Sequence, residues 1–455
     1  GVENVLIGGL AGDALTTGAG NVAIGFNTLT ALTTGSSNVA IGHKAMLSGA
    51  VSADDNIMIG ELAGNNIIGG SENVGIGTKA LFTENNNGRN VAVGHNSLMT
   101  LRAGADAYNT AVGYEAAKMM STGIKNTIIG GQAGDALTTG VQNVAIGYEA
   151  LSTEDTGSKS IAIGAFALRV QNFNGDAYNV AIGHDTGKSI TTGNENTLIG
   201  GLAGDALTEG SANVALGYLA LSAEDDHGTN TAIGFKTLRV QDAGANAYNV
   251  ALGYVAGENV STGIENTLIG GYAGDRLDAG AENVAVGYAA LSTEDGHGKN
   301  VALGAYTLQD QDAGAHAQNV AVGYRACLQL TTGTENNIIG SLAGDALTTG
   351  SDNVALGHSA LGHETTGSFN VAIGHKSLAT LNAEADGHNT AVGYRSGVAM
   401  TTGVQNTIVG AHAGDAITTG GNNVAIGNNA LSTEDAHGRN VAVGHNALQT
   451  QDAGA

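Results

Sequence analysis

Four adjacent carboxyl pairs, Glu154-Asp155, Glu224-Asp225, Glu294-Asp295 and Glu434-Asp435, are the residues best suited to chemistry, and three have a histidine nearby (His227, His297, His437). Paired carboxyls can share general acid and base duties on a glycosidic bond, or hold a divalent cation. They recur, however, at one point of a repeated segment, whereas an active site is normally a single concave pocket. They read as solvated turn charge, with weak divalent-cation binding as the alternative use.

Gly131-Gln-Ala-Gly-Asp135 and Gly201-Leu-Ala-Gly-Asp205 carry a glycine–aspartate pattern that binds calcium when tandem copies about nine residues apart stack. Here the aspartates Asp135, Asp205, Asp275, Asp345 and Asp415 lie 70 residues apart. They are weak calcium candidates at best. The plainer reading is a tight turn whose Asp caps local N–H groups.

Aromatic or histidine residues occupy one repeated position in 15 of 26 units, among them Tyr148, Tyr218, His43, His95 and His445. A row of rings could stack on sugar faces; rim packing between neighbouring coils or subunits is the favoured reading. Cys327 is the single cysteine and has no nucleophile signature around it, so a buried apolar role is expected. Thr-Thr-Gly turns such as Thr138-Thr139-Gly140 and Thr331-Thr332-Gly333 are too interrupted to form an ice-binding array. No catalytic triad, phosphate loop or zinc cluster is evident. The expectation is therefore a protein that is not an enzyme and needs no cofactor.

Behind these residues stands a repeat. Asn143-Val-Ala-Ile-Gly147 returns as Asn213-Val-Ala-Leu-Gly217, Asn283-Val-Ala-Val-Gly287, Asn353-Val-Ala-Leu-Gly357 and Asn423-Val-Ala-Ile-Gly427. Looser copies bring the count to 26 units of 17–19 residues, of which 25 begin with Asn and one with Ser160. From residue 56 the spacing runs 17, 17, 19, 17, giving 70-residue modules at 56–125, 126–195, 196–265, 266–335 and 336–405, with a partial one at 406–455. The whole of 1–455 is thus one continuous repeat. Gly1-Val2-Glu3-Asn4 matches the end of a unit and Gln451–Ala455 stops inside one, so a window on a longer chain is expected.

Seventeen residues cannot hold two helices and a turn, which need more than about 30. The β-branched Asn-Val-Ala-Ile-Gly segment reads as a strand, and a second short strand is expected at Ala150-Leu151-Ser152-Thr153. Two strands and two turns make one coil of a parallel β-solenoid. At about 4.8 Å per coil, 26 coils would extend roughly 125 Å. The complete absence of Pro fits, because every strand residue must donate to the adjacent coil. The repeated Asn is expected to stack as a hydrogen-bonded ladder, and the Gly present in all 26 units to mark a turn with positive φ.

Within each strand, Ile7, Val93, Leu356 and their equivalents are expected to face inward. The residue before them, Ala in 18 units and large in seven (Leu6, Met58, Ile128, Leu198, Leu268, Ile338, Ile408), is expected to face outward. A strand apolar on both faces is usually covered on both, which points to a closed oligomer. The 19-residue units place two extra residues before the Asn, as in Ala247-Tyr248-Asn249 and Gly387-His388-Asn389, and a small loop is expected there.

The motif Asn-Val-Ala-Ile-Gly-x-x-Ala-Leu at 143–151 and 423–431 resembles the head repeats of trimeric autotransporter adhesins. Asn109-Thr-Ala-Val-Gly-Tyr114 and Asn389-Thr-Ala-Val-Gly-Tyr394 are similar to repeats of phage-type tail fibres. The resemblance covers essentially the whole chain, and it implies a left-handed β-roll with three chains around one axis. The units are longer than the autotransporter coil, and none of these 455 residues reads as an anchor or chaperone domain.

Composition narrows the partners. Seventeen Lys and Arg against 41 Asp and Glu give a net charge of −24, which disfavours nucleic acid and anionic lipid. No apolar stretch is long enough to span a membrane. The function expected is an extracellular fibre or adhesin segment, on a cell-surface appendage or a virion fibre. Its partners would be itself, as a homotrimer that also stacks end to end, and a host-cell surface glycan or protein. A self-assembling filament subunit is the alternative, and a polysaccharide-degrading tail-spike enzyme the second.

Overall fold

The computed structural model describes every residue except 48–51, 87, 295, 297, 315 and 451–455. The expectations for Asp295, His297 and the Gln451–Ala455 end lie outside the described residues. Twenty-six three-residue strands, one per unit, form a parallel β-solenoid, and no helix occurs among the described residues. The chain divides into two compact units, Gly1–Gly228 and Thr229–Ala455. The first holds the strands from Val5–Ile7 to Val214–Leu216, the second those from Thr231–Ile233 to Val441–Val443.

Pairing within each unit is parallel and strictly in register. Val5 lies beside Val22 and Ile7 beside Ile24 in the first unit, as Thr231 lies beside Val250 in the second. Identical positions of successive coils therefore form columns. The two-residue increment of the longer coils does not break them: Ile161 still faces Val180 across a 19-residue step.

The structure corrects three expectations. Among the described residues one strand is present per coil; Ala150–Leu151 lies in a turn, with Glu149 at φ 50° and Leu151 at φ 54°. The two faces of the strand are reversed. Ala23, Ala145 and Ala355 are fully buried, whereas Ile7 and Leu356 are exposed and Val93 is half-buried. A three-residue strand can direct only its central side chain into so thin a coil, and the interior is already filled by Asn, Leu and Glu columns. Finally, the two extra residues of the longer coils do not sit beside the Asn. Lys125 N–H donates to Ala107 O just as Gln142 N–H donates to Ile124 O, so the residues next to the Asn keep their place. The additional chain emerges upstream instead, as the exposed runs 104–106, 174–176, 244–246 and 384–386.

Core volume is balanced within the coils that have a large strand centre. In all seven coils whose strand centre is large, the residue four after the turn glycine is Gly rather than Leu: Gly12, Gly64, Gly134, Gly204, Gly274, Gly344 and Gly414. A Cβ built on Gly64 would meet the Met58 side chain, and one on Gly204 the Leu198 side chain, at 3.0 Å or less. Large-plus-Gly thus replaces Ala-plus-Leu at nearly constant volume, the exchange a close-packed interior tolerates best.

Candidate functional site

The Asn column is the polar spine of each unit. Asn143 N–H donates to Asn126 Oδ1 at 2.8 Å, Ser160 N–H to Asn143 Oδ1 at 2.9 Å, and Asn143 Nδ2 to Gly157 O at 2.8 Å. The geometry recurs at Asn213, Asn283, Asn353 and Asn423, whose backbone N–H groups reach the preceding Asn at 2.9–3.0 Å. Both polar ends of these fully buried amides are engaged, as burial requires. At the one non-Asn position, Gln171 Nε2 donates to Ser160 Oγ at 2.9 Å and its Oε1 accepts from Asn179 Nδ2 at 2.8 Å, closing the gap.

Gly147 closes the strand at φ 139°, and a Cβ there would lie closer than 3.0 Å to the Gly164 backbone. Conformation and contact both exclude a side chain. Gly217, Gly287, Gly357 and Gly427 share that φ range, at 140°, 141°, 141° and 133°.

The Glu of each acidic pair is not solvated turn charge, whereas Asp155 and Asp225 are half-buried and Asp435 is exposed. Glu154, Glu224, Glu294 and Glu434 are completely buried, as are Glu84 and Glu364. Each occupies the interior position that Leu137 and Leu347 fill in other coils. Glu154 Oε1 accepts Gly157 N–H at 2.6 Å, and its Oε2 accepts Gln171 Nε2 at 3.0 Å and Phe173 N–H at 3.1 Å. Glu364 repeats this with Gly367 N–H at 2.7 Å, Thr365 N–H at 3.0 Å and Ala383 N–H at 3.1 Å. Such groups serve the backbone and have no approach for a substrate. The signal in the sequence was their position, six residues before the next Asn, where other 17-residue coils carry an apolar residue; the long coils carry Leu or Gln at the equivalent place, eight residues before the Asn.

Two trios gather possible metal ligands: Glu224, Asp225 and His227, and Glu434, Asp435 and His437, with ligand atoms within 4.8 Å of one another. In both, the histidine already contacts the buried Glu: Nδ1 lies 3.2 Å from Oε1 in the second trio and 3.7 Å in the first. Its own backbone N–H donates to the same oxygen, at 2.9 Å and 3.1 Å.

The Gly-Asp aspartates are half-buried and no two of them converge. Burial pushes the Asp135, Asp205 and Asp345 carboxyls up, and Asp275 to about 6. Asp205 faces Lys188 Nζ at 3.4 Å, and Asp415 faces His412 Nδ1 at 3.0 Å. A hard cation needs several converging oxygens, and each of these carboxyls stands on its own coil.

The ring positions form ladders along the coils. In the second unit Phe235, Tyr254, Tyr272, Tyr288, Tyr306 and Tyr324 contact in sequence, with centroids 5.3–6.2 Å apart. His358, His375, Tyr394 and His412 form another, at 5.3–5.4 Å. Tyr272 and Tyr306 sit one residue later than the position singled out in the sequence; a count that allowed both positions would have found the unbroken row. Tyr148 and His43 are likewise exposed and pack on the ring of an adjacent coil.

Cys327 is fully buried, and that burial raises its thiol pKa well above the ordinary value. Its place in the 70-residue period holds Ala117, Gly187, Gly257 and Gly397 elsewhere, all small, because the large strand centre of the next coil needs the space. The Thr-Thr-Gly turns are structural as well: Thr138 Oγ1 donates to Asp155 O at 2.9 Å and Thr331 Oγ1 to Thr348 O at 3.0 Å.

Among the described residues no helix is long and apolar enough to cross a membrane. Compared with known proteins, the chain matches no family model and no curated protein.

Proposed function

We propose that this chain is a non-enzymatic structural segment of an extracellular fibre or adhesin, assembled as a homotrimeric, left-handed β-roll whose work is length, stiffness and presentation of a binding surface. The observation that carries the reading is the uniform in-register column structure of each unit. Successive coils share strand hydrogen bonds, turn carbonyls and, in all units but the one at Ser160, an Asn, an arrangement that extends coil by coil and builds no central pocket among the described residues.

The trimer rests on the outward strand residues. Ile76, Leu303, Ile339, Leu356 and Ile426 are each exposed by more than a third, so each unit presents an apolar stripe beside its half-buried Val and Thr. Aligned apolar rows of this kind are usually covered by protein. Net charge of −24 per chain keeps assembled fibres apart, in a salt-dependent way. The buried, backbone-bonded Glu154 and Glu364 weigh against a polysaccharide-cleaving spike.

Sedimentation and electron microscopy of the purified chain test this. Elongated particles with the mass of three chains are expected. A compact monomer, or release of reducing ends from polysaccharide, would overturn the reading.

A further inference from the structure

Coils that copy one another this closely make a ligand site visible as a break in the copying. The residue five after the turn glycine is Ser292, Gln309 and Leu328 in three successive coils, and Ser152, Arg169 and Lys188 in an earlier set. At 362, 379 and 398 the same three positions are Gly, Ala and Val. Gly362 is the only glycine at this position in all 26 units. Three shortened side chains in a row widen to about 530 Å³ a groove that measures about 280 Å³ beside Gln309 and Leu328 and about 360 Å³ beside Arg169 and Lys188, with Gly362, Ala379 and Val398 in its lining.

The rim is cationic in a strongly acidic chain. Lys376 and Arg395 line the groove and are exposed. Among the described residues neither takes part in an ion pair. His363 is anchored at the edge: its Nδ1 lies 2.6 Å from Ala379 O, and since a carbonyl only accepts, Nδ1 carries the proton and donates. Thr380 Oγ1 donates to Val398 O at 2.7 Å, which leaves its lone pairs free to accept. Asp345 contributes a half-buried carboxyl, raised by burial and drawn back by a backbone hydrogen bond and, less, by Arg325 and His363. Beside these groups runs the exposed ring ladder His358–His375–Tyr394.

We propose that this groove binds an acidic sugar, with a carboxylate-bearing unit of an oligosaccharide held between Lys376 and Arg395 and its hydroxyls met by Asp345 and Thr380. Guanidinium and ammonium groups supply the charge-assisted hydrogen bonds a carboxylate requires. The apolar floor accepts the carbon face of the ring, and the neighbouring rings offer a flat surface for the next unit. A neutral sugar forgoes the two cationic contacts, and a polycation is repelled. The proposal rests on the reading of the chain as a fibre that presents a binding surface, and locates that surface.

Calorimetric titration of the full chain with a galacturonic acid trimer, against a neutral galactose trimer, tests it. Saturable binding of the acidic trimer alone is expected, weakening with salt. Lys376→Gln with Arg395→Gln should lower affinity about tenfold or more. The triple change Gly362→Ser, Ala379→Gln, Val398→Leu installs residues the chain already uses at 292, 309 and 328, so it should fold, narrow the groove toward the 240–280 Å³ found beside those residues and weaken binding about tenfold or more. Equal binding of the neutral trimer, unchanged binding by the triple variant, or no binding by the parent would each overturn the proposal. Sedimentation of the same samples reads assembly separately, so a groove that fails while elongated trimers persist leaves the fibre reading intact.

Discussion

Glu154 Oε2 accepts the backbone N–H of Phe173 at 3.1 Å, nineteen residues further along the chain. Phe173 lies in the first of the long coils after it, and Ala383 stands in the same relation to Glu364. Five of the six buried glutamates, Glu84, Glu154, Glu224, Glu294 and Glu364, fall in the coil immediately before a 19-residue coil. At Glu154 and Glu364 the carboxyl receives an N–H of the wider turn above it. At these two positions the acidic residue and the longer coil work as one device.

Replacing Glu154 with Ala should leave the N–H groups of Gly157 and Phe173 without an acceptor. An unsatisfied buried donor costs about 1–3 kcal/mol. Hydrogen-exchange mass spectrometry should show faster exchange around 157 and 173, while coils several turns away keep their protection. Uniform exchange in mutant and parent would contradict the role assigned to Glu154.

The volume exchange between strand centre and turn makes a double-mutant prediction. Ile338→Ala alone removes a fully buried side chain and should cost about 2–5 kcal/mol locally. Adding Gly344→Leu rebuilds the Ala23–Leu29 arrangement of another coil, where Leu29 sits at φ 50°, near the 53° of Gly344. The second change should recover most of the loss, read as a coupling energy in a two-mutant cycle. Additive losses would refute the compensation.

Two glycines with positive φ should respond very differently to alanine. Gly147 has φ 139° and a Cβ would strike the Gly164 backbone, whereas Gly104 has φ 75° with nothing within 4 Å. Gly147→Ala should open its coil to limited proteolysis. Gly104→Ala should cost only about 1 kcal/mol, the ordinary left-handed penalty.

The Asp275 carboxyl, pushed up to about 6 mainly by burial, carries a pH prediction. Its folded pKa lies above the unfolded value near 3.9, so between about pH 4 and 6 the folded state binds the extra proton. Stability from this group is therefore greatest below pH 4 and is lost as pH rises through 6. Asp275→Asn should raise local stability at pH 7 and change little at pH 4. An NMR titration of the carboxyl carbon with a midpoint near 4 would remove the premise.

The sequence alone determined the architecture, because repetition makes a local signal unambiguous. One Asn-Val-Ala-Ile-Gly is a weak strand; 26 at nearly constant spacing leave a parallel stack of short coils as the arrangement that pairs every strand. The Asn and Gly roles were legible for the same reason, since a ladder and a positive-φ turn are properties of one column. What lay inside a coil was not. Alternation in a three-residue strand states that residues 144 and 146 share a face and 145 takes the other, but not which face is the interior. That was decided by the Asn, Leu and Glu columns, whose bulk leaves room only for Ala145 between them. Glu154 looked solvated beside Asp155 because charge predicts exposure on average. Only the tertiary structure brought Gly157, Gln171 and Phe173 around it, and those three donors make burial of the carboxyl tolerable. The groove at Gly362 has the same origin: three small residues 17 and 19 positions apart become one opening only when the coils are stacked.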